Sequence, residues 1–340
     1  MKRITNKFVT SKIYVLLLVL GLLLNSSCSD SDHNNPSDTT VVIGIAWRSD
    51  LDSEFYTNVV TAIKECGATP VLLSQVVCSD IAYQGRQVSP DCVDEVGYLS
   101  LQAAATLRSA AGHSNAADAV MAVDAVIFTG GEDVSPTLLA EPQPWHGIET
   151  ERDYNATRDV NDYALMHYCL QHDISILGFC RGMQMLGVIS GATVIQDIPT
   201  FFAERGEPYN YIHRNEKSSP EAYRDYSPHD VTVVPGSKLY GMAGATLHNV
   251  PSWHHQSLMS VDGTSLMVSG YTVVNSLPMI EAIERTDKTL AMGFQFHPEA
   301  AVVKHLEGAA NQDRFMSMDE AKGLITSFIA LVRARKLQQR

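Results

Sequence analysis

A short stretch near the middle of the chain, residues 174–184, constrains the fold more than any other. Its sequence, Ile-Ser-Ile-Leu-Gly-Phe-Cys-Arg-Gly-Met-Gln, predicts a buried strand, a tight turn and the start of a helix, with Cys180 at the turn. Gly178 and Gly182 stand two residues before and two after the cysteine, where a sharp strand-to-helix turn leaves room only for backbone. Unpaired N–H groups at a helix N-terminus favour a thiolate, so Cys180 is a candidate nucleophile.

That pattern alone does not decide between a nucleophile and an inert cysteine. Free cysteines are among the most buried residue types and often serve only as small apolar groups. A Gly-x-Cys-x-Gly sequence fits both interpretations, so the rest of the chain has to decide.

Strand and helix patterns alternate on both sides of this stretch, which is typical of a parallel sheet covered by helices on both faces. Apolar runs and helical spacings predict strands over 41–46, 69–73, 124–128 and 192–195 and helices over 54–65 and 158–172. Hydrophobic residues make up 45% of the chain, enough for one large core. We therefore predict a single α/β domain over residues 41–340, a three-layer sandwich around a mostly parallel central sheet.

The remaining segments are predicted in less detail. Residues 74–123 are long for a crossover but poor in large apolar residues, so we predict an elaborated crossover with a helix over 101–111. Residues 197–199 are predicted to form a turn, and the polar, tyrosine-rich stretch 201–228 a loop over the site. The last third is predicted to contain strands over 230–234, 266–274, 279–283 and 290–296, and a closing helix over 324–332.

The first 27 residues are typical of an export signal. Basic residues precede an apolar run from Ile13 to Leu24, which has the length of a signal-peptide core and is shorter than a membrane-spanning helix. The sequence ending at Cys28 resembles a bacterial lipobox, so we expect lipid on Cys28; an ordinary cleaved signal is the alternative. Residues 28–40 are polar and predicted to be a flexible tether. These features predict an exported protein anchored by its N-terminal lipid in the bacterial cell envelope, in an outer membrane facing the periplasm or the surface.

Charge excludes one class of partner. The formal net charge is −13, and removing residues 1–27 makes it four units more negative because only basic residues are lost. Strong negative charge argues against binding to a phosphate backbone, so we expect no nucleic-acid partner. The sequence does not decide the oligomeric state, and a homodimer is one of the alternatives.

Four cysteines remain besides Cys28 and Cys180. An exported protein meets an oxidising compartment, so disulfides are allowed among these four. They are Cys66, Cys78, Cys92 and Cys169. The pair closest in sequence, Cys78 with Cys92, is the candidate disulfide.

A cysteine nucleophile needs a nearby base and a third group that orients this base. The sequence Phe-His-Pro-Glu at residues 296–299 ends a predicted strand. Residues two apart at a strand end project to the same side, so Glu299 can hold the imidazole of His297 while its other nitrogen faces the thiol. Pro298 is predicted to stop the strand there. Taken alone, His-x-Glu is more common in solvated turns, but its position after the cysteine motif favours a catalytic pair.

A glycine pair ends another predicted strand. Gly130 and Gly131 follow the strand at 124–128, and ligands of parallel sheets bind at the carboxyl ends of strands. A Gly-Gly loop at that edge can offer backbone N–H groups to a substrate oxygen. A plain turn that needs positive φ explains the glycines equally well.

Together these motifs resemble the class I glutamine amidotransferase superfamily and, within it, the γ-glutamyl-γ-aminobutyrate hydrolase family, also called peptidase family C26. The resemblance rests on residues 178–184, on Gly-Gly-Glu-Asp-Val-Ser-Pro at 130–136 and on 296–299. It is supported by Arg158-Asp159, Gly-Ala-Thr at 191–193, Gln-Asp-Ile-Pro at 196–199 and Trp-His-His-Gln at 253–256, and it runs from about 41 to 328.

The resemblance implies a flavodoxin-like fold and a specific set of roles. Cys180 would be the nucleophile, His297 the general base and acid, and Glu299 the orienting carboxylate. The oxyanion hole would combine the N–H of Arg181 with one from Gly130 or Gly131. Candidate substrate contacts are Gln184, His254, His255 and Gln256, although a structural role for the two histidines is nearly as well supported.

The implied reaction is hydrolysis of a small γ-glutamyl amide or peptide through a γ-glutamyl thioester, with no metal and no organic cofactor. Two other functions remain open at this stage. A glutaminase supplying ammonia to a partner synthase would share the triad, and a surface lipoprotein could bind γ-glutamyl ligands without cleaving them.

Overall fold

The computed structural model describes residues 40–217, 219 and 222–339, which belong to one compact unit, Thr39–Arg340. The predicted export signal, Cys28 and the tether up to residue 39 lie outside the described residues, so lipid anchoring stays a prediction. Within the described part, no helix combines the length and apolar character needed to cross a membrane.

The described chain contains thirteen strands and nine α-helices. The strands are β1 Val42–Ile45, β2 Thr69–Leu72, β3 Tyr83–Gln84, β4 Gln87–Val88, β5 Ala125–Phe128, β6 Ser175–Phe179, β7 Thr193–Ile195, β8 Ser227–Val233, β9 Thr246–Ser252, β10 Ser257–Ser260, β11 Leu266–Val274, β12 Leu277–Arg285 and β13 Ala291–Phe294. The helices are α1 Glu54–Glu65, α2 Leu101–Ala110, α3 Ala116–Val120, α4 Ala156–Gln171, α5 Arg181–Ile189, α6 Ile198–Glu204, α7 Lys238–Ala243, α8 Pro298–Leu306 and α9 Met318–Gln338.

Nine strands form the central sheet, in the order β2-β1-β5-β6-β13-β12-β11-β8-β9. The five strands from β2 to β13 are parallel, and the four that follow β13 run antiparallel to their neighbours. The predicted flavodoxin-like α/β fold with parallel core strands is confirmed, with an antiparallel extension of the sheet on one side.

Side chains alternate between the two faces of the parallel strands, as the period of two requires. In β5, Val126 and Phe128 pack into one core with residues of α4 and α5, such as Leu165 and Leu186. The intervening Ile127 packs into the other core, with residues of α1, α8 and α9. Helices therefore cover both faces, which gives the three layers.

The segment after β2, predicted as an elaborated crossover, contains the β3–β4 hairpin, α2 and α3. Its apolar residues, among them Val76, Leu99 and Leu107, join the same core as Val126 instead of forming a core of their own.

Two predictions of local structure were wrong. Residues 197–199 begin helix α6, because the side chain of Asp197 caps it by accepting from the N–H of Thr200 at 3.1 Å and Pro199 occupies its first turn. The β11–β12 hairpin turns at Asn275 and Ser276, which both have positive φ. The strand predicted at 279–283 is confirmed within the longer β12, which begins directly after this turn. The second wrong prediction is the loop over 201–228, because residues 201–204 belong to α6 and residues 227–228 to β8.

The candidate disulfide between Cys78 and Cys92 is also wrong. Both residues are free thiols, as are the other cysteines of the described chain. Cys78 is fully buried, and its Sγ lies 3.4 Å from the carbonyl oxygen of Ala110 at the end of α2.

The strand-to-helix turn after β6 depends on its two glycines, as the sequence predicted. A Cβ added to Gly178 would lie 2.4 Å from the carbonyl carbon of Gly182, and one added to Gly182 would lie 2.4 Å from the carbonyl oxygen of Phe128. Real Cβ contacts are never this short, so β6, β5 and α5 approach closely only because these positions carry no side chain.

We predict that Gly178→Ala lowers the free energy of unfolding by about 3 kcal/mol or more, because its methyl group meets backbone that cannot move aside. Gly323→Ala is the matched control, because Gly323 lies within α9 with open space around its Cβ position. It should stabilise the protein by about 0.5–1 kcal/mol through helix propensity. Urea unfolding of the three proteins measures both effects, and equal stability of Gly178→Ala and wild type would contradict the prediction.

Candidate active site

Cys180 lies at the carboxyl edge of the parallel sheet, between β6 and α5. Its backbone has φ 48° and ψ −106°, a conformation that costs a non-glycine residue about 1–3 kcal/mol. Two hydrogen bonds hold it: the N–H of Cys180 donates to the carbonyl of Phe294 at 2.7 Å, and its own carbonyl accepts from the N–H of Gln184 at 3.1 Å. The side chain is nearly buried and lines a cavity of about 320 Å³.

His297 and Glu299 come together where α8 begins. His297 is the residue before the helix, Pro298 is its first residue, and Glu299 lies in its first turn. The Nδ1 of His297 and Oε1 of Glu299 are 2.7 Å apart, and both side chains are buried. The predicted pair of His297 and Glu299 is therefore present. The start of helix α8 brings the two residues together, whereas the sequence predicted that the end of a strand would do so. A carboxylate in the first turn also complements the helix dipole.

The imidazole of His297 is enclosed by aromatic rings and by charge. Phe55 and Tyr226 pack against it, each with a centroid distance of 5.4 Å. Burial alone would lower the pKa of His297, but the charge of Glu299 and the interaction with Cys180 outweigh it and raise the pKa to about 10. Glu299 therefore favours the protonated ring, while the Nε2 of His297 is buried and makes no hydrogen bond of proper geometry within the described residues.

The glycine loop after β5 contacts both groups. A Cβ on Gly130 would lie 2.7 Å from the Cε1 of His297 and 3.4 Å from the Cβ of Cys180, so Gly130 lies directly beside both residues. The carbonyl of Gly130 accepts hydrogen bonds from Arg48 at 2.6 Å and from Arg158 at 2.8 Å. Because the C=O and N–H of one peptide point in opposite directions, these bonds turn the N–H of Gly131 away from the arginines.

The side chain of Arg181 points away from this cavity. It is fully buried, lies 2.5 Å from the carboxylate of Asp159 and forms a second ion pair with Asp162. Its backbone N–H is the first of α5 and precedes the helical hydrogen-bond ladder. Arg181 thus fixes the turn through its side chain and presents only its backbone to the site.

The four predicted substrate contacts line the cavity, and three of them, Gln184, His254 and His255, are already bound to protein groups. Gln184 donates to the carbonyl of Gln256 at 3.2 Å and to Gln295 at 3.3 Å. His254 donates from Nδ1 to the carbonyl of Gln256 at 2.7 Å, and its Nε2 faces Glu281 at 3.6 Å. Two hydrogen bonds therefore occupy the amide nitrogen of Gln184, and both ring nitrogens of His254 face protein groups.

His255 bridges two loops. Its Nδ1 lies 3.0 Å from Asp197 and its Nε2 lies 2.9 Å from Asp133, so it joins the start of α6 to the glycine loop. Burial lowers the pKa of His255, but the two carboxylates outweigh it and raise the pKa to about 9. With both nitrogens occupied, His255 supports the cavity wall as a buried cation.

Sequence reasoning missed several residues of the cavity. Arg48 lies three residues after the end of β1, at the carboxyl edge, so the rule that selected Gly130 could have selected it as well. Arg214 also lines the cavity and stacks on Trp253, with its Cζ 4.3 Å from the ring centroid. It comes from the stretch predicted only as a loop, and no local pattern distinguishes it from the other polar residues there.

The structure defines an α/β protein with Cys180 and a buried His297–Glu299 pair at the carboxyl edge of its sheet, and comparison with known proteins identifies the family. Residues 100–299 match the Peptidase C26 family, so the chain belongs to it; this membership suggests hydrolase activity. Protein NtpR of Enterococcus hirae is 30% identical over 194 residues, which cover 57% of this chain and 72% of NtpR. The γ-glutamyl-γ-aminobutyrate hydrolase PuuD of Escherichia coli K12 is 27% identical over 181 residues, which cover 52% of this chain and 64% of PuuD.

Solved structures of glutamine amidotransferases align over most of the chain at low identity. One from Thermotoga maritima is 16% identical, with a TM-score of 0.44 over 86% of this chain and 98% of its own. The glutaminase domain of Trypanosoma brucei CTPS, solved with bound acivicin, is 14% identical, with a TM-score of 0.47 over 86% of this chain and 94% of its own.

We predict that the stabilising effect of His255 depends on pH. Because folding raises its pKa from about 6.5 to about 9, the stabilisation is fully present below pH 6.5 and is lost as the pH rises to 9. His255→Gln should therefore be less stable than wild type by about 3 kcal/mol at pH 6, and this difference should shrink towards pH 9. Thermal unfolding at pH 6, 7.5 and 9 measures the difference.

The control for this experiment is His248→Gln, which removes an exposed histidine that pairs with Asp230 on the surface. Its stability should stay close to that of wild type across the range. A difference between His255→Gln and wild type that does not change with pH would contradict the prediction.

Proposed function

We propose that the protein hydrolyses γ-glutamyl amide bonds through a γ-glutamyl thioester on Cys180. The observation that carries this proposal is the arrangement of three groups: a cysteine in a strained strand-to-helix turn, a buried His297–Glu299 pair, and Gly130 packed directly beside the histidine and the cysteine. This is the arrangement of a nucleophile, a base and an orienting carboxylate.

In the first half of the reaction the sulfur of Cys180 attacks the side-chain carbonyl carbon of the γ-glutamyl group. The protonated ring of His297 pairs with the attacking thiolate and then donates its proton to the leaving nitrogen as the C–N bond breaks. In the second half His297 removes a proton from water, the hydroxide attacks the thioester, and the thiolate leaves with the carboxylate product released. Glu299 keeps the ring oriented through Nδ1 during both halves.

The oxyanion of each tetrahedral intermediate would be bound by two backbone N–H groups. Arg181 supplies the first, at the N-terminus of α5. Gly131 supplies the second, because hydrogen bonds from Arg48 and Arg158 hold the carbonyl of Gly130 on the opposite side of the same peptide. Between the alternatives left by the sequence, this geometry favours Gly131 over Gly130 as the donor. Loss of one such donor costs about 10²–10³ in rate.

The charge of the cavity suits a zwitterionic γ-glutamyl group. Arg48 and Arg214 line it together with the carboxylates of Asp133 and Asp153. An α-carboxylate would pair with Arg214, because Arg48 is already bound to Asp50 and to the carbonyl of Gly130. An α-amino group would pair with a carboxylate of the cavity, and Gln184 lines the same cavity one turn beyond Cys180.

A second, larger cavity would take the amine side of the substrate. It has a volume of about 680 Å³ and shares four lining residues with the first: Glu151, Arg214, His254 and His255. Because the two cavities meet at these four residues, we propose that the leaving group extends from Cys180 towards the larger space. We therefore propose γ-glutamyl amides with bulky or extended amine portions as substrates, and we place the reaction in the cell envelope on the strength of the predicted export signal.

Membership in Peptidase C26 and the name of the E. coli relative support this proposal. The test is a panel of γ-glutamyl amides, including glutamine, with the full chain purified in mild detergent. Release of free amine should occur with wild type and fall by at least about 10³-fold in Cys180→Ala. Cys66→Ala, which removes a half-buried thiol elsewhere, is the matched control and should retain activity.

The same panel separates the alternatives. Turnover of glutamine alone would favour a glutaminase that supplies ammonia to a partner. Binding of γ-glutamyl compounds without release of amine would favour a non-catalytic binding protein. Activity that survives Cys180→Ala would refute the proposed mechanism.

We further predict that Glu299→Gln shifts the alkaline limit of activity to lower pH. Glu299 is the charge that does most to raise the pKa of His297 to about 10, and His297 must be protonated to release the amine. Wild-type kcat/KM should therefore decline only as the pH approaches 10, whereas the variant should lose activity at lower pH and be slower by about 10²–10⁴-fold at its optimum. Glu307→Gln, at the other end of α8, should keep the wild-type profile. An unchanged alkaline limit in Glu299→Gln would contradict the proposed role.

A further inference from the structure

A second cluster of ionisable side chains lies outside the residues assigned to the reaction. His213 comes from the segment between α6 and β8, His229 from β8 and Glu281 from β12, and all three are buried. The Nε2 of His213 is 3.2 Å from Oε1 of Glu281, and the Nε2 of His229 is 3.4 Å from Oε2. His254 joins from the side, with its Nε2 3.6 Å from Oε1.

The Nδ1 atom of each of the three histidine rings already has a hydrogen-bond partner. His229 donates from Nδ1 to the carbonyl of Ile212 at 3.2 Å, and His254 donates from Nδ1 to the carbonyl of Gln256 at 2.7 Å. A carbonyl only accepts, so these Nδ1 atoms carry the protons, and a neutral ring then turns the lone pair of Nε2 towards the carboxylate. The Nδ1 of His213 is 2.8 Å from the hydroxyl of Tyr209.

Lone pairs that face a carboxylate repel it unless a cation lies between them. In the described chain, neither these three Nε2 atoms nor the two oxygens of Glu281 make a hydrogen bond of proper geometry, although all are buried. Buried polar atoms almost always have partners, so five such atoms in one place call for a ligand.

The separations fit a metal ion better than direct hydrogen bonds. Ligands about 2.0–2.1 Å from a tetrahedral zinc ion are about 3.3 Å from each other. His213 and His229 lie 3.2 Å and 3.4 Å from the two different oxygens of Glu281, which is close to this value and at or beyond the long end of ordinary hydrogen bonds. Histidine ligands that donate their second nitrogen to a backbone carbonyl are typical of metal sites.

We propose that His213, His229 and Glu281 bind a zinc ion, because one ligand atom from each of the three lies within 4.8 Å of the other two. His254 lies beside this group and is not counted among the ligands. Imidazole nitrogens with one carboxylate suit zinc among the divalent metals. The family resemblance implied no metal, and this ion takes no part in the reaction at Cys180. Its role would be structural: it joins the segment before β8 to the sheet, and Tyr209, which lies on that segment, lines the larger cavity.

The test is the metal content of the full chain, purified without a polyhistidine tag and measured by inductively coupled plasma mass spectrometry. After loading with Zn²⁺ and removal of excess, wild type should retain about one zinc per chain. Glu281→Gln and His213→Gln should retain less than about a tenth of that. His248→Gln, which removes an exposed histidine, is the matched control and should bind as wild type does.

A second measurement does not depend on whether the variants fold. Removal of metal from wild type with a chelator should lower Tm, Zn²⁺ should restore it and Mg²⁺ should not. Co²⁺ in place of zinc should give the visible absorption of a tetrahedral site. Wild type that retains no zinc and shows no change in Tm, or Glu281→Gln that binds as much as wild type, would overturn the proposal. None of these readouts uses activity, so they are independent of the function proposed for Cys180.

Discussion

The close crossing of β6 and α5 is the constraint on which the site depends. Gly178 and Gly182 let the two backbones meet, and the chain between them bends so sharply that Cys180 takes a positive φ. The same residue donates its N–H to Phe294 at the end of β13, the strand that pairs in parallel with β6. His297 follows three residues later, so one strand register determines the positions of both the Cys180 thiol and the His297 ring.

Beneath this turn lies a group of buried charges that fixes the glycine loop. Arg158 binds the carbonyl of Gly130 and the carboxylate of Glu132, while Arg181 binds Asp159. Burial raises the pKa of Asp159 to about 6 even though Arg181 and a serine hydrogen bond oppose it, which shows how costly desolvation is there. Such a network adds little net stability, but its fixed hydrogen-bond geometry holds the loop and the helix N-terminus in one arrangement around the sulfur.

Much of the fold and of the candidate site could be predicted from the sequence, because they depend on local patterns. The strand-turn-helix pattern located Cys180 correctly, because glycine spacing and apolar periodicity are local properties. The pairing of His297 with Glu299 was foreseen, although its cause is the start of a helix. What the sequence could not reveal is long-range pairing: nothing local indicates that His255 binds Asp133 or that a loop arginine such as Arg214 lines the cavity. The Cys78–Cys92 candidate failed for the same reason, since closeness along the chain says little about distance in the fold.

The adjacent residues His254 and His255 contact two different groups of charged side chains. Adjacent residues in an extended segment point to opposite sides, and here His255 turns to the carboxylates of Asp133 and Asp197 while His254 turns to Glu281. The backbone between Trp253 and Gln256 is therefore held from both sides, and it forms the wall shared by the two cavities. In the function proposed above, a rigid wall at this place would let the small cavity beside Cys180 select the γ-glutamyl group while the larger one takes the amine portion.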